Sequence, residues 1–253
     1  MANHKFEKRG VDYPIVDGER TLPGKYYHSQ EIYDEEVEKI FYKFWMLACR
    51  AEEIPEVGDF KLVQIEDESL ILVRDKSGEI KAHFNVCSHR GTQLCVEPSG
   101  TFKTKSIQCP YHAWTYALNG KLIGAPQMKE GDDFKKADCS LPRAHVHVWE
   151  GFVFVNLDEY AQPFEVQMEA LMNKFSDWKM KDLRVARHIR YELNCNWKLI
   201  LQNYQECYHC PGVHPLLSEM TPVQSAQHDA SKGAVIGGFM DLTKERGSMT
   251  LNG

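Results

Sequence analysis

No stretch of the 253-residue chain approaches the roughly 20 consecutive apolar residues that a membrane-spanning helix needs. The opening residues, MANHKFEKRG, carry charge with no apolar core behind it, which argues against a secretory signal. Basic residues are not in excess. Lys and Arg number 30 against 36 Asp and Glu, a formal charge of −6, so the basic stripe of a nucleic-acid binder is missing. There is no internal repeat and no low-complexity tract. What remains is an ordinary globular composition, 43% hydrophobic and 26% charged, long enough for one large domain or two modest ones. The expectation is a cytoplasmic protein with neither membrane nor nucleic acid as partner.

Sulfur and imidazole are plentiful by contrast. The chain holds eight cysteines (Cys49, Cys87, Cys95, Cys109, Cys139, Cys195, Cys207 and Cys210) and eleven histidines. In a reducing compartment, clustered cysteines read as metal ligands or buried thiols rather than as disulfides.

Residues 1–28 are polar and punctuated by Pro and Gly, an irregular arm. From Asp34 to Cys49, the positions Val37, Ile40, Phe41, Phe44, Trp45 and Ala48 recur at three and four, which predicts an amphipathic helix. Beyond Pro55 and Gly58, FKLVQIE, SLILVRD, EIKAHFNVC and SIQC predict short strands. Asn119–Gly120 between WTYAL and KLIGA is a two-residue hairpin signal, and the strands RAHVHVW and FVFVNL meet at Glu150–Gly151. Pro163 to Trp178 predicts a helix with Phe164, Met168, Leu171, Met172 and Phe175 on one side, and HIRYELN predicts a strand. Asn196 caps a helix over NWKLILQNYQECYHC, with Trp197, Ile200, Leu201 and Tyr204 as its apolar face and Pro211–Gly212 as its end. GAVIGGFMDL leads into a further strand. The fold class is α+β: an arm and the start of the first helix over 1–40, a β-rich domain over 41–155, and an α+β domain over 156–253.

The most specific pattern is Cys87–Ser88–His89 followed, after 19 intervening residues, by Cys109–Pro110–Tyr111–His112. Each half follows a predicted strand, so two short loops can face each other, each supplying one sulfur and one nitrogen. A [2Fe-2S] centre with two thiolates on one iron and two imidazoles on the other needs this arrangement. Zinc is the alternative, although structural zinc sites usually pair cysteine with cysteine and histidine with histidine. Gly91 and Pro110 permit tight loops, Trp114 and Tyr111 can shield the site, and Arg90 is either solvated or close to it.

CSHRG and CPYHAWTYALNGKL closely resemble the Rieske domain of Rieske non-haem iron oxygenases, the aromatic-ring-hydroxylating and quaternary-amine enzymes. Rieske proteins of respiratory complexes carry an extra cysteine in the second loop. Tyr111 occupies that place here, which favours the oxygenase branch. The resemblance implies a β-rich Rieske [2Fe-2S] domain followed by a catalytic, helix-grip-like α+β domain.

In NYQECYHCPGVHP, Glu206 precedes His209 by three residues, one helical turn, and a turn at Pro211–Gly212 can bring His214 back beside His209. Two imidazoles and a later carboxylate form the facial triad of non-haem Fe(II) oxygenases. The resemblance implies that His209 and His214 hold the mononuclear Fe(II). It makes Glu206, where the family usually has Asp, a carboxylate bridging to the Rieske histidine of a neighbouring subunit, and Asn203 a further contact near the iron. ECYHC resembles the glycine-betaine and carnitine oxygenase branch. Cys207 and Cys210 permit redox or zinc chemistry, whereas the resemblance suggests cysteines that pack beside the ligand. His145 and His147 share a strand face as partly exposed positions, and His83, His188 and His228 have no partner at ligand spacing.

The family's third iron ligand lies further downstream. Glu219, Asp229, Asp241 and Glu245 follow His214, none at the matching position, so the sequence is expected to be truncated at its C-terminus. The resemblance implies the oxygenase component of a multicomponent system, a homotrimer supplied from NAD(P)H by a flavin/iron-sulfur reductase or ferredoxin. With O2 it would hydroxylate or N-demethylate a small organic substrate, a quaternary amine or an aromatic. The competing readings are a Rieske-type electron carrier without oxygenase activity and a zinc-stabilised interaction module.

Overall fold

The computed structural model describes residues 21–131, 133–228 and 235–243, so the first 20 residues of the arm, Asp229 and Glu245 lie outside it. Its strands are β1 (Met46–Arg50), β2 (Asp59–Ile65), β3 (Glu68–Arg74), β4 (Ile80–Phe84), β5 (Ser99–Thr101), β6 (Ser106–Gln108), β7 (Thr115–Ala117), β8 (Leu122–Gly124), β9 (Arg143–Trp149) and β10 (Phe152–Asn156). Seven form one antiparallel sheet in the order β1-β10-β9-β4-β3-β2-β5, and β6-β7-β8 form a second. A later pair, β11 (Gln227–His228) and β12 (Gly238–Phe239), stands apart.

β3 explains the layering. Leu70, Ile71, Leu72 and Val73 are all 0% exposed, as a strand covered on both faces requires, because successive side chains point to opposite sides. Ile71 and Val73 join Ile107, Trp114, Tyr116, Cys87 and Cys109 in the core shared by the two sheets. Leu70 and Leu72 join Ile54, Val153 and Val155 on the other face. Each such side chain contributes about 1.5–3 kcal/mol of burial.

The turns follow local chemistry. Glu150 (φ 48°) and Gly151 (φ 80°) are both left-handed, which gives the two-residue turn whose twist matches β9 and β10. At the other hairpin the loop has three residues rather than the expected two: Ala117 N–H donates to Lys121 O (2.8 Å), so Leu118, Asn119 and Gly120 turn the chain. Gly120 has φ +86°, and a Cβ there would meet His83 Cε1 at 2.6 Å.

The helices are α1 (Lys25–His28), α2 (Gln30–Glu36, continued by a π-helical turn over Val37–Phe41), α3 (Phe164–Gln167), α4 (Trp197–Gln205), α5 (Cys210–Val213) and α6 (Pro215–Met220). Outside the second donor site, two expected helices and one expected strand come out differently. The helix expected to reach Cys49 stops near Phe41, and Met46–Arg50 instead pairs with β10. The dense apolar run FYKFWMLAC satisfies both periods, and the hydrogen bonds offered by β10 decide between them. The helix expected over 163–178 is α3 and a series of 3-10 turns, with left-handed Asn173 and Lys179 between them. Phe164 anchors it by packing on Trp45, His147 and Phe154, and a short helix has little stability beyond such contacts. HIRYELN is not a strand. Ile189, Tyr191 and Leu193 keep their alternation yet are exposed, because no neighbouring strand pairs with them among the described residues.

Candidate metal centres

Two six-residue loops of the same design carry the first donor set. Cys87 follows β4; its N–H donates to Thr92 O (2.8 Å) and its carbonyl accepts from Gly91 N–H (3.0 Å). Cys109 follows β6; its N–H donates to Trp114 O (2.8 Å) and its carbonyl accepts from Ala113 N–H (3.1 Å). In each loop the fifth residue is left-handed, Gly91 at φ 69° and Ala113 at φ 56°. An alanine there carries a strain of about 1–2 kcal/mol, which the paired hydrogen bonds hold in place.

The loops sort their donors by depth. The two thiols are inside, Cys87 at 2% and Cys109 at 3% exposure, while His89 is half-buried and His112 exposed. The imidazole rings lie 4.9 Å apart, centroid to centroid. His89 stacks flat on buried Trp114 at 4.6 Å, and His112 stacks on Tyr111 at 3.7 Å. Burial pushes the Cys87 thiol pKa up, the neighbouring Cys109 adds to this, and a hydrogen bond with Tyr116 opposes it. Desolvation, then His112 and Arg90, lower the pKa of His89 and favour the neutral, ligating imidazole.

Two thiols buried side by side become thiolates only if a cation compensates them. The donors are sorted into a pair of thiols inside and a pair of imidazoles at the edge, two per metal ion as a two-iron centre needs, whereas structural zinc gathers its donors on one ion. The donor set therefore fits a [2Fe-2S] cluster better than zinc. Sequence reasoning missed Tyr116: its hydroxyl lies 3.1 Å from Cys87 Sγ and accepts from Ser88 N–H at 3.2 Å. Only the position of β7 beneath the first loop makes that contact visible.

The second donor set sits where α4 ends. Asn196 caps that helix, accepting from Lys198 N–H at 3.1 Å. The helix stops at Gln205, and Glu206 is extended (φ −122°, ψ 142°), so Glu206 and His209 do not share a helix face as expected. Instead the Glu206 carboxylate folds over the following turn. It accepts from Tyr208 N–H (2.7 Å) and His209 N–H (3.3 Å), and its Oε1 lies 2.6 Å from His209 Nδ1. The His209 hydrogen bond, first among the causes, holds Glu206 below the usual carboxylate range.

Pro211–Gly212 does not end a helix; it lies inside α5, with Pro211 in the first turn where its missing N–H costs nothing. That short helix brings the rings of His209 and His214 to 5.3 Å. Asn203 is exposed on α4 and forms no hydrogen bond with Glu206 or either histidine. The apolar face expected on α4 is open: Ile200 and Leu201 are exposed, and Tyr204 is 87% exposed. Buried Lys198 ties the helix down, with Nζ 2.6 Å from both oxygens of Glu36, which also accepts from Trp197 Nε1 at 2.8 Å. Tyr27 adds a second tether through its hydroxyl to Gln202 Oε1 at 3.0 Å. Nothing in the sequence signals these long-range pairs. Cys207 and Cys210, expected to pack as thiols, are joined as a disulfide across the turn, where Cys210 N–H donates to Cys207 O at 2.9 Å.

Residues 44–149 match the Rieske [2Fe-2S] domain, and residues 180–253 match the catalytic domain of the ring-hydroxylating alpha subunit. The chain carries a Rieske domain followed by part of a ring-hydroxylating alpha-subunit catalytic domain. It is 34% identical to the carnitine monooxygenase oxygenase subunit of Acinetobacter baumannii over 211 residues, 82% of this chain and 56% of that protein. Against the glycine betaine monooxygenase oxygenase subunit of Pseudomonas aeruginosa it is 34% identical over 197 residues, 78% of this chain and 45% of that one. A solved quaternary ammonium Rieske monooxygenase superposes with a TM-score of 0.77 at 33% identity, over 83% of this chain and 58% of the other. The chain thus spans about half the length of these relatives. The Rieske domain implies a [2Fe-2S] cluster. No helix among the described residues is long and apolar enough to cross a membrane.

Proposed function

We propose that this chain is part of the oxygenase component of a Rieske system acting on a quaternary ammonium compound. Residues 41–155 hold the cluster, and residues 156–253 begin the mononuclear-iron domain. One observation carries the reading: two matched loops place two thiols in the core and two imidazoles at its edge. Cys87 and Cys109 would hold one iron of a [2Fe-2S] cluster, His89 and His112 the other.

At the second site His209 and His214 would hold Fe(II), with a carboxylate still to be found as third ligand. The iron, when bound, supplies the O2 chemistry of hydroxylation or N-demethylation. Glu206 accepts the Nδ1 proton of His209, which fixes the tautomer and leaves Nε2 free for a metal. It can also face a partner subunit, since its side chain is about half exposed and the solved quaternary ammonium enzyme transfers electrons between subunits. A homo-oligomer, a trimer in this reading, and a reductase or ferredoxin follow as partners. The relatives' names and the ECYHC segment favour quaternary amines over aromatics.

Anaerobic assembly of the purified chain with iron and sulfide tests the first site. A brown protein with a rhombic signal on reduction is expected, and Cys109→Ser should abolish it. A colourless product containing zinc would overturn the reading. Loss of cobalt(II) binding in His209→Ala, with the cluster retained, tests the second.

A further inference from the structure

The disulfide spans the turn that carries the second donor set. Cys207 and Cys210 bracket Tyr208 and His209, and Cys210 Sγ lies 4.0 Å from His209 Nε2. The turn is presented to solvent, with Tyr208 93% exposed and Pro211 and Gly212 exposed beyond it. The two sulfurs differ in access: Cys207 is half-buried and Cys210 only 3% exposed. None of the other six cysteines, Cys49, Cys87, Cys95, Cys109, Cys139 and Cys195, is disulfide-bonded.

We propose that Cys207 and Cys210 form a thiol–disulfide exchange site, taking a low-molecular-weight disulfide such as oxidised glutathione as its oxidant. The Cys207 thiolate attacks one sulfur of that disulfide, forming a mixed disulfide and releasing one thiol. The Cys210 thiolate then attacks the Cys207 sulfur and releases the second. The chain loses two electrons and two protons, and the small disulfide gains them. Reduction runs the same steps backwards, entering at the accessible Cys207.

The bond has a consequence for the neighbouring histidines, which rests on the iron-site reading above. α5 begins at Cys210, and His214 N–H donates to Cys210 O at 2.7 Å. Closing the ring therefore ties the Cys207–His209 turn covalently to the start of α5 and restrains His209 relative to His214, whereas in the dithiol only hydrogen bonds, those of Glu206 and of Cys210 N–H to Cys207 O, hold the turn. A pair of ligands held in place before binding loses less freedom on taking a metal.

The full chain, carrying its cluster, is equilibrated in reduced and in oxidised glutathione buffers, quenched with acid and alkylated. Mass spectrometry should show the Cys207–Cys210 peptide interconverting between dithiol and disulfide. Cys210→Ser should gain one glutathione, on Cys207, and Cys207→Ser should leave Cys210 unmodified. No disulfide in the oxidised buffer, or glutathione on Cys210 instead, overturns the exchange site. Cobalt(II) titration of the disulfide form and of the Cys207→Ser/Cys210→Ser double variant, which lacks the bond without adding thiolate ligands, should show tighter binding, by about threefold or more, in the disulfide form. Equal affinity of the two proteins overturns the coupling. If neither binds cobalt(II) while exchange proceeds, the iron-site reading fails and the exchange site stands on the mass readout.

Discussion

The two turns that carry the candidate metal donors are built in opposite ways. The Cys87 and Cys109 loops are anchored in a core shared by two sheets, with both cysteine backbones hydrogen-bonded at each loop's close. The Glu206–His214 turn stands on a helix whose apolar residues are exposed, and it is held by a carboxylate, a disulfide and one buried ion pair. A site in the core takes its geometry from packing. A site on an open helix takes it from a few discrete bonds, so each bond matters more.

The sharpest test is the ion pair that docks α4. Glu36→Ala leaves Lys198 buried without its partner, which costs about 3–5 kcal/mol. Hydrogen exchange should report faster opening of α4 amides by that amount, while β3 amides stay protected. Equal acceleration in both would show the two regions to be one cooperative unit.

Truncation of core and helix side chains sharpens the same contrast. Ile71→Ala should cost about 2–5 kcal/mol in chemical denaturation, whereas Ile200→Ala on the open face should stay within about 0.5 kcal/mol. A large loss at Ile200 would mean that this face is covered in solution.

Tyr116→Phe removes the hydroxyl beside Cys87 Sγ. A hydrogen bond to a thiolate stabilises the more negative, reduced cluster, so its loss should lower the reduction potential by tens of millivolts, roughly 40 mV per kcal/mol for one electron. Potentiometric titration followed in the visible range measures it. An unchanged or raised potential would remove Tyr116 from any tuning role.

The smallest effect is the pH dependence of Glu206. Its folded pKa is depressed, first by the His209 hydrogen bond, so its contribution exists above the unfolded carboxylate pKa and is lost as pH falls through the folded one. Glu206→Gln should flatten the acid arm of the local opening measured at the His209 amide. The group is solvent-exposed, so the change is small, and an unaltered acid arm would show that the carboxylate does not hold the turn.

Much of the β-rich half was legible in the sequence. FKLVQIE, SLILVRD, RAHVHVW and FVFVNL became strands, because β-branched runs between turn residues fit no other element as well. The two Cys/His loops were legible by spacing alone. The sequence was less informative where apolar residues were dense or partners distant. Met46–Arg50 read as helix, and 163–178 read as one helix although Phe164 pins its start to the sheet. HIRYELN kept a strand's alternation without a neighbour to pair with. At the second site the residue types were legible, but the geometry was not: Glu206 capping the turn, the Cys207–Cys210 bond and the Glu36–Lys198 tether all arise from contacts that spacing does not encode.

By itself, the sequence determined which atoms are available: two thiols and two imidazoles at loop spacing, then a carboxylate and two more imidazoles beside a Pro-Gly step. Those are local facts, set by residue identity and a few bonds of backbone. Only the tertiary structure decided depth and orientation, burying Cys87 and Cys109 while leaving His112 outside, setting Tyr116 against the Cys87 sulfur, and ending α4 one residue before Glu206. Depth and orientation depend on which surfaces meet across the chain, and that is fixed by packing between residues far apart in sequence.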